Sequence, residues 1–205
     1  MKKFFTAALV ALMSLTASAQ TPEKGEISLT PMAGISYGGF FGYEYKGGGD
    51  TPNRDGNVGF TVGAELGVMN SNFFKSSIGV QYINSSTSLG FGKATDFKND
   101  YIAIPVLANF YVADGFAIKA GVQPAFLVSS KIGSIDSKDY VKSFDFTIPV
   151  GLSYEFSNIV LDARYYIGTQ NLVKDGNYVG TVDGSGFRSL TNGYATITVG
   201  YKFKL

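Results

Sequence analysis

The chain contains no cysteine, no histidine and no tryptophan in 205 residues. Without cysteine there is no disulfide, no thiol nucleophile and no thiolate metal site. Without histidine there is no Ser-His-Asp chemistry and no side chain that ordinarily titrates near neutral pH. Charge is scarce as well, at 16% of residues with a net of +1, and nothing in that balance points to nucleic acid as a partner. Long apolar runs are missing beyond the first residues, so no transmembrane helix is expected there. What the chain does have is glycine, 26 residues of it, with 17 phenylalanines and 13 tyrosines. That is a β composition.

The first residues read as an address. Lys2 and Lys3 make a positive start, Phe4 to Leu15 a short apolar core, and Ala17-Ser18-Ala19 a small-residue cleavage site. The pattern predicts a secretory signal peptide over residues 1–19, too short to be a transmembrane helix. Cleavage after Ala19 would leave residues 20–205 as one barrel domain of 186 residues, 205 less 19. Without Lys2 and Lys3 the mature chain has 15 basic and 16 acidic residues, a net of −1. No cysteine follows the apolar core, so a lipoprotein anchor is not expected.

Beyond that start, a period of two recurs. From Phe144 to Phe156 one face reads Phe, Phe, Ile, Val, Leu, Tyr, Phe and the other Asp, Thr, Pro, Gly, Ser, Glu. Successive side chains of a β-strand point to opposite faces, so this is a strand with one greasy and one small polar face. Eight such strands are predicted: Ile27–Tyr37, Val58–Val68, Phe74–Asn84, Asp100–Val112, Phe116–Val128, Ser143–Phe156, Ile159–Gly168 and Gly193–Phe203. Tilted, strands of this length cross a bilayer. Their connectors alternate. Met69–Phe73, Ala113–Gly115 and Ser157-Asn158 are tight; Gly38–Asn57, Ser85–Asn99, Ser129–Lys142 and Thr169–Asn192 are long. Short turns at one end and long loops at the other are the habit of outer-membrane barrels.

Alternation alone does not say whether the greasy face looks inward, as in a soluble barrel, or outward into lipid. Volume decides it. More than thirty large apolar side chains share that face, Phe60, Val80, Ile102, Phe126 and Ile197 among them. The interior of an eight-stranded barrel barely accommodates its own side chains. Gly63, Gly79, Gly121, Thr61, Thr147 and Ser153 lie on the other face and suit such an interior. The greasy face therefore points to lipid, and a closed sheet leaves no unpaired edge there. Pro31, Pro105, Pro124 and Pro149 fall inside strands and each removes a donor, which predicts bulges. With tryptophan absent, Tyr37, Phe40, Phe41, Tyr101, Tyr111, Phe156 and Tyr166 are the candidates for interfacial belts.

Inward-facing charge is sparse and gathered. Glu65, Lys119, Glu155, Asp162 and Arg164 all lie on the polar parity and within a few residues of a short turn. Gln81, Asn109 and Gln123 extend the group. Buried charges require partners, so the expectation is an ion-paired plug; the other reading of the same residues is a proton or ion path. No catalytic role is assigned, and no cofactor or metal is expected. In the first long loop Asp50, Asn53, Asp55 and Asn57 surround Gly56; they read either as turn chemistry or as oxygen ligands for calcium, without EF-hand spacing. The runs Gly47–Gly49 and Gly184-Ser185-Gly186 read as loop tips.

The end of the chain, Thr198-Val199-Gly200-Tyr201-Lys202-Phe203-Lys204-Leu205, resembles the β-signal of outer-membrane proteins. Thr198, Gly200, Phe203 and Leu205 occupy its fixed places, with leucine where the family usually ends on an aromatic. The resemblance implies the barrel-assembly machinery as a partner during insertion. The stretch Tyr101–Tyr111 with its Ile104-Pro105-Val106, the strand Gly121–Leu127 and a second Ile148-Pro149-Val150 resemble the small Bacteroidetes outer-membrane barrels of the PorT-like outer membrane protein beta-barrel domain family. Ala103 and Asn109 stand where that family often has an acidic and a basic residue. The resemblance implies an eight-stranded antiparallel up-and-down barrel in the outer membrane of a Gram-negative cell, and no substrate.

The expected role is therefore structural, or interaction through four long extracellular loops, with outer-membrane lipids and an extracellular or outer-membrane protein as partners. A narrow porin-like channel or a carrier of lipophilic ligands is the alternative. An enzyme of the outer-membrane lipase or protease kind is disfavoured by the missing histidine.

Overall fold

A computed structural model describes residues 21–46, 53–90, 95–133, 135–174 and 186–205. The first four strands in chain order are β1 (Ile27–Lys46), β2 (Asn53–Ser71), β3 (Phe74–Gly90) and β4 (Thr95–Ala103). They are followed by β5 (Val106–Ala113), β6 (Phe116–Ile132), the two-residue β7 (Ile135–Asp136) and β8 (Phe144–Phe156). Last come β9 (Ile159–Asn171), β10 (Gly186–Tyr201) and β11 (Phe203–Lys204). β4 with β5, and β10 with β11, each form one interrupted stave, and the two-residue β7 pairs only with the end of β6, so eight antiparallel staves make up the ring among the described residues. β10 pairs back with β1, from Met32 opposite Gly200 to Lys46 opposite Gly186, and the sheet closes on itself. The fold is an all-β, eight-stranded up-and-down barrel.

Period two places the faces. Along β8 the side chains of Asp145, Thr147, Pro149, Ser153 and Glu155 are buried while Phe144, Ile148, Val150 and Leu152 look outward. The same greasy exterior runs round the barrel through Phe60, Val80, Ile102, Val122, Ile167 and Ile197. Asn72-Phe73, Asp114-Gly115 and Ser157-Asn158 are two-residue turns. Gly115 at φ 68° and Ser157 at φ 51° adopt the left-handed backbone that tight hairpins demand.

The prolines do not produce bulges. Pairing sums are unchanged on either side of Pro105: Gln81 pairs with Ala103 and Ile78 with Val106. Pro105 still accepts from Gly79 N–H at 2.9 Å, and Pro124 from Ile104 N–H at 2.9 Å. Each keeps as acceptor one of the two bonds its residue pair would exchange, and the flanking bonds hold the register. Pro31 and Pro149 sit in register as well, opposite Ala64 and Tyr166. The register shifts lie elsewhere, for example at Asp100/Tyr101 and Thr191/Gly193.

Much of what reads as long loop is paired strand. β2 and β3 continue to pair from Asn57–Ser86 up to Asn53–Gly90, and β3 with β4 up to Leu89–Thr95. Serine, threonine and asparagine there supply little apolar periodicity, but the hairpin satisfies the backbone beyond the membrane. Asp50 and the Gly47–Gly49 run lie outside the described residues, as do Gly184-Ser185 and the predicted signal peptide. Asn53 and Asp55 have their backbones in β2, and Asn57 Nδ2 donates to Ser88 Oγ at 2.8 Å.

Three of the candidate belt residues turn inward instead. Tyr101, Tyr111 and Tyr166 are 1%, 8% and 0% exposed. Parity rules here, since Tyr101 shares the face of Asn99, Tyr111 that of Asn109 and Tyr166 that of Arg164. Tyr37 faces outward and Phe156 is half-buried, while the side chains of Phe40 and Phe41 lie outside the described set. Outward aromatics near the short-turn end include Phe73, Tyr201 and Phe203.

Candidate functional site

The lumen is built in layers, starting at the short-turn end. There Glu155 of β8 lies between Lys75 of β3, at 3.2 Å, and Lys202, at 2.9 Å. Tyr111 donates its hydroxyl proton to the same carboxylate. Lys202 also reaches Glu26, just before β1, at 3.3 Å, and exposed Lys204 lies 2.7 Å from Glu26. Burial pushes the Glu26 carboxyl up, but Lys204 and Lys202 outweigh it and hold it below the ordinary carboxylate range.

A second network sits beside the first. Arg164 pairs with Glu65 and with Asp162, its Nη2 donating to Asp162 Oδ2 at 2.9 Å. Its Nε is 2.7 Å from Asp162 Oδ1 but is held by charge rather than by an aligned hydrogen bond, since the two residues share one strand face two positions apart. Lys119 lies 2.6 Å from Asp162 and 3.7 Å from Glu65. Among the buried side chains each network balances: Glu65 and Asp162 against Lys119 and Arg164, Glu155 and Glu26 against Lys75 and Lys202, with Lys204 an exposed addition at the barrel mouth.

Small residues make room for these long side chains. Gly79 is paired with Glu65, and a Cβ on it would come within 2.7 Å of Glu65 Cγ. Gly151 sits between Lys119 on one neighbour and Arg164 on the other, and a Cβ there would lie 3.0 Å from Arg164 Cγ. A cavity of about 10 Å³ remains near the networks, lined in part by Thr30, Glu65, Lys75, Asn109 and Glu155. It has room for roughly one water.

Further toward the long-loop end the lumen, apart from Asp145, is lined by uncharged side chains among the described residues. Tyr166 and Tyr194 stack with ring centroids 4.3 Å apart. Gln123 Nε2 donates to the Tyr194 hydroxyl at 2.6 Å, and the Tyr166 hydroxyl donates to Gln81 at 3.4 Å. Beyond them Ile83, Phe97, Leu127, Val141, Leu172 and Leu190 pack into an apolar cluster. Asp145 is buried near this level, accepting from Asn192 Nδ2 at 2.9 Å and from Phe146 N–H at 2.8 Å.

Of the five residues predicted to gather, Glu65, Lys119, Asp162 and Arg164 meet in one network and Glu155 in the other. Lys75, Lys202 and Glu26 are members that sequence reasoning missed. Lys75 has the parity of Gln81, and Lys202 that of Thr198 and Gly200, so alternation marks both. Strand-end lysines are ordinarily solvated, and that ordinary reading hid them. At the chain's end Thr198 and Gly200 face the lumen, Phe203 and Leu205 face out, and Leu205 N–H bonds to the Ile27 carbonyl at 2.9 Å.

A closed antiparallel barrel with a lipid-compatible exterior and a self-paired polar lumen defines an integral outer-membrane protein. The chain belongs to the outer membrane protein beta-barrel domain family, which it matches over residues 14–174. Its fold is similar to that of OprG from Pseudomonas aeruginosa at TM-score 0.53 and 12% identity, covering 91% of this chain and 100% of that one. Neisserial surface protein A scores 0.49 at 18% identity, with 86% and 97% covered. Ail of Yersinia pestis scores 0.44 at 16% identity, with 88% and 99% covered. The likeness to OprG speaks for the fold. No curated protein sequence matches the chain. Family and fold imply the Gram-negative outer membrane.

Proposed function

We propose that the barrel is a closed outer-membrane protein whose work is structural or lies in contacts made by its extracellular hairpins. The observation that carries this reading is the lumen. Two balanced ion networks, a tyrosine stack and an apolar cluster occupy it in succession, and the cavity beside the networks is about 10 Å³. A hydrated ion needs a continuous polar bore, and a conducting path would have to break several buried ion pairs. Placement in the PorT-like branch and maturation after Ala19 belong to the same proposal; the N-terminal residue of the purified protein reports the latter.

Reconstituted into planar bilayers, the protein is expected to give no stable conductance steps. Steady open-channel current would overturn the closed reading. The apolar cluster around Phe97 and Leu127 is the observation that favours a second reading, a carrier of small lipophilic molecules. Saturable uptake of an apolar fluorophore into the lumen, without ion current, would establish that reading instead. The docking role has its own readout. Crosslinked pull-downs from intact outer membrane should retain a protein partner that is lost when one of the four extracellular hairpins is shortened; a partner set indifferent to all four deletions removes the hairpins from consideration.

A further inference from the structure

The residues just before β1 cross the short-turn mouth of the barrel. Gly25 N–H donates to the Met69 carbonyl at 2.8 Å, and Met69 N–H donates to the Glu26 carbonyl at 2.9 Å, which ties the segment to the end of β2. Glu26 N–H donates to the Glu23 carbonyl at 2.9 Å and closes a turn. Beyond that turn Pro22 is buried, and Thr21 Oγ1 accepts from Gly115 N–H at 3.4 Å. Gly115 lies in the turn between β5 and β6, on the far side of the ring from the junction of β10 with β1. Met69, Tyr111 and Ala117 form a small buried apolar cluster at this end, and the ties at Met69 and Gly115 carry the segment over it.

A third tie comes from the end of the chain, where Glu26 meets Lys202 at 3.3 Å and Lys204 at 2.7 Å. Met69, Gly115 and the two lysines are far apart in sequence, and only a closed ring brings them to one mouth. What lies beneath is charged. Lys75, Glu155 and Lys202 stand at strand ends, where solvent ordinarily reaches such side chains, yet all three are buried.

The segment is lightly held. Glu23 and Lys24 are exposed, and a cleft of about 510 Å³ opens beside it, lined in part by Thr21, Glu23, Asp114, Asn158 and Lys204. Gly25 holds φ 89° at the third position of the turn, a conformation that favours glycine there. A Cβ on Gly25 would meet nothing within 4 Å, so the bend is set by the backbone alone.

We propose that residues 21–26 are a lid, hinged at Gly25, that seals the short-turn mouth once the ring has closed and lifts to admit solvent to Lys75, Glu155 and Lys202. The cleft beside the segment is the space into which it moves. The tyrosine stack and the apolar cluster lie above the networks and stay in place, so an open lid adds no ion current. Its opening is therefore read separately from conductance.

The test exploits the absence of cysteine from the chain. Ser153 is buried and pairs with Ala117, beneath the lid, so Ser153→Cys places a single near-isosteric thiol there. The probe is a small negatively charged methanethiosulfonate, added to the folded protein in detergent. Labelling should be far slower than after unfolding in urea. Adding Gly25→Val should speed it roughly tenfold, through the strain of a left-handed residue that carries a side chain. Gly25→Ala, with less strain, should fall between. Gly133→Val places the same strain at the other end, at φ 59°, and should leave the rate unchanged. The mobility of unheated samples on gels checks that each variant folds. A thiol that reacts as fast in the folded as in the unfolded protein overturns the lid. So do a rate indifferent to both Gly25 variants and an equal acceleration by Gly133→Val.

Discussion

Replacing Arg164 with methionine is expected to destabilise the barrel by roughly 3–5 kcal/mol, read as a lower urea midpoint in lipid vesicles. The Arg164 side chain is 1% exposed and touches both carboxylates of its network. Without it, Glu65 and Asp162 would share Lys119, which is close to Asp162 but 3.7 Å from Glu65. A carboxylate taken from water and left half-paired is the origin of the loss. Adding Glu65→Gln to the variant restores charge balance, since one anion and one cation are then gone together. The double variant should recover most of the stability, because a buried pair removed whole is far less harmful than one partner removed alone. A single variant as stable as wild type would show that the network fills space and does little more.

The second large effect is expected at the seam between the first and last staves. Gly34 pairs with Thr198, and a Cβ on it would lie 2.0 Å from the Ile197 carbonyl oxygen and 2.7 Å from Thr198 Cα. Those are backbone atoms, so neither can swing away. Just below, the ladder already lapses between Leu29–Phe203 and Met32–Gly200, opposite Pro31. Gly34→Val should therefore hold the seam open, with a loss of about 3 kcal/mol or more from overpacking and little folded, heat-modifiable form on gels. Gly39→Ala is the control. Its nearest contact would be the Gly193 carbonyl at 3.6 Å, an ordinary separation, so it should fold normally. If Gly34→Val folds as well as Gly39→Ala, close approach is not what the seam requires.

How much of this could be read from the chain depends on which rule governed each residue. Parity is a strict rule, and the outward greasy face from Phe60 to Ile197 follows from it together with the volume of a small barrel. Parity also carries Glu65, Lys119, Asp162 and Arg164 inward. At strand ends position competes with parity: Tyr101, Tyr111 and Tyr166 sit where belt aromatics sit although their parity faces the lumen, and Lys75 and Lys202 sit where lysines are ordinarily solvated although theirs does too. The outer halves of the hairpins were illegible because Ser85 to Ser88 carry no contrast between faces, and pairing there is a property of the backbone. The prolines show a different limit. Whether Pro105 forces a bulge depends on which neighbour supplies its carbonyl with a donor, and Gly79 becomes that neighbour only once β3 and β5 have paired in register.

An electric field across the membrane would find little to grip in the two lumen networks. Moving one elementary charge through 100 mV exchanges about 2.3 kcal/mol. Here Lys75, Lys119, Arg164 and Lys202 cancel Glu26, Glu65, Glu155 and Asp162, and the opposing groups are in contact rather than spread along the bore. Any rearrangement that keeps the partners together displaces no net charge. Voltage should therefore leave these networks where they are.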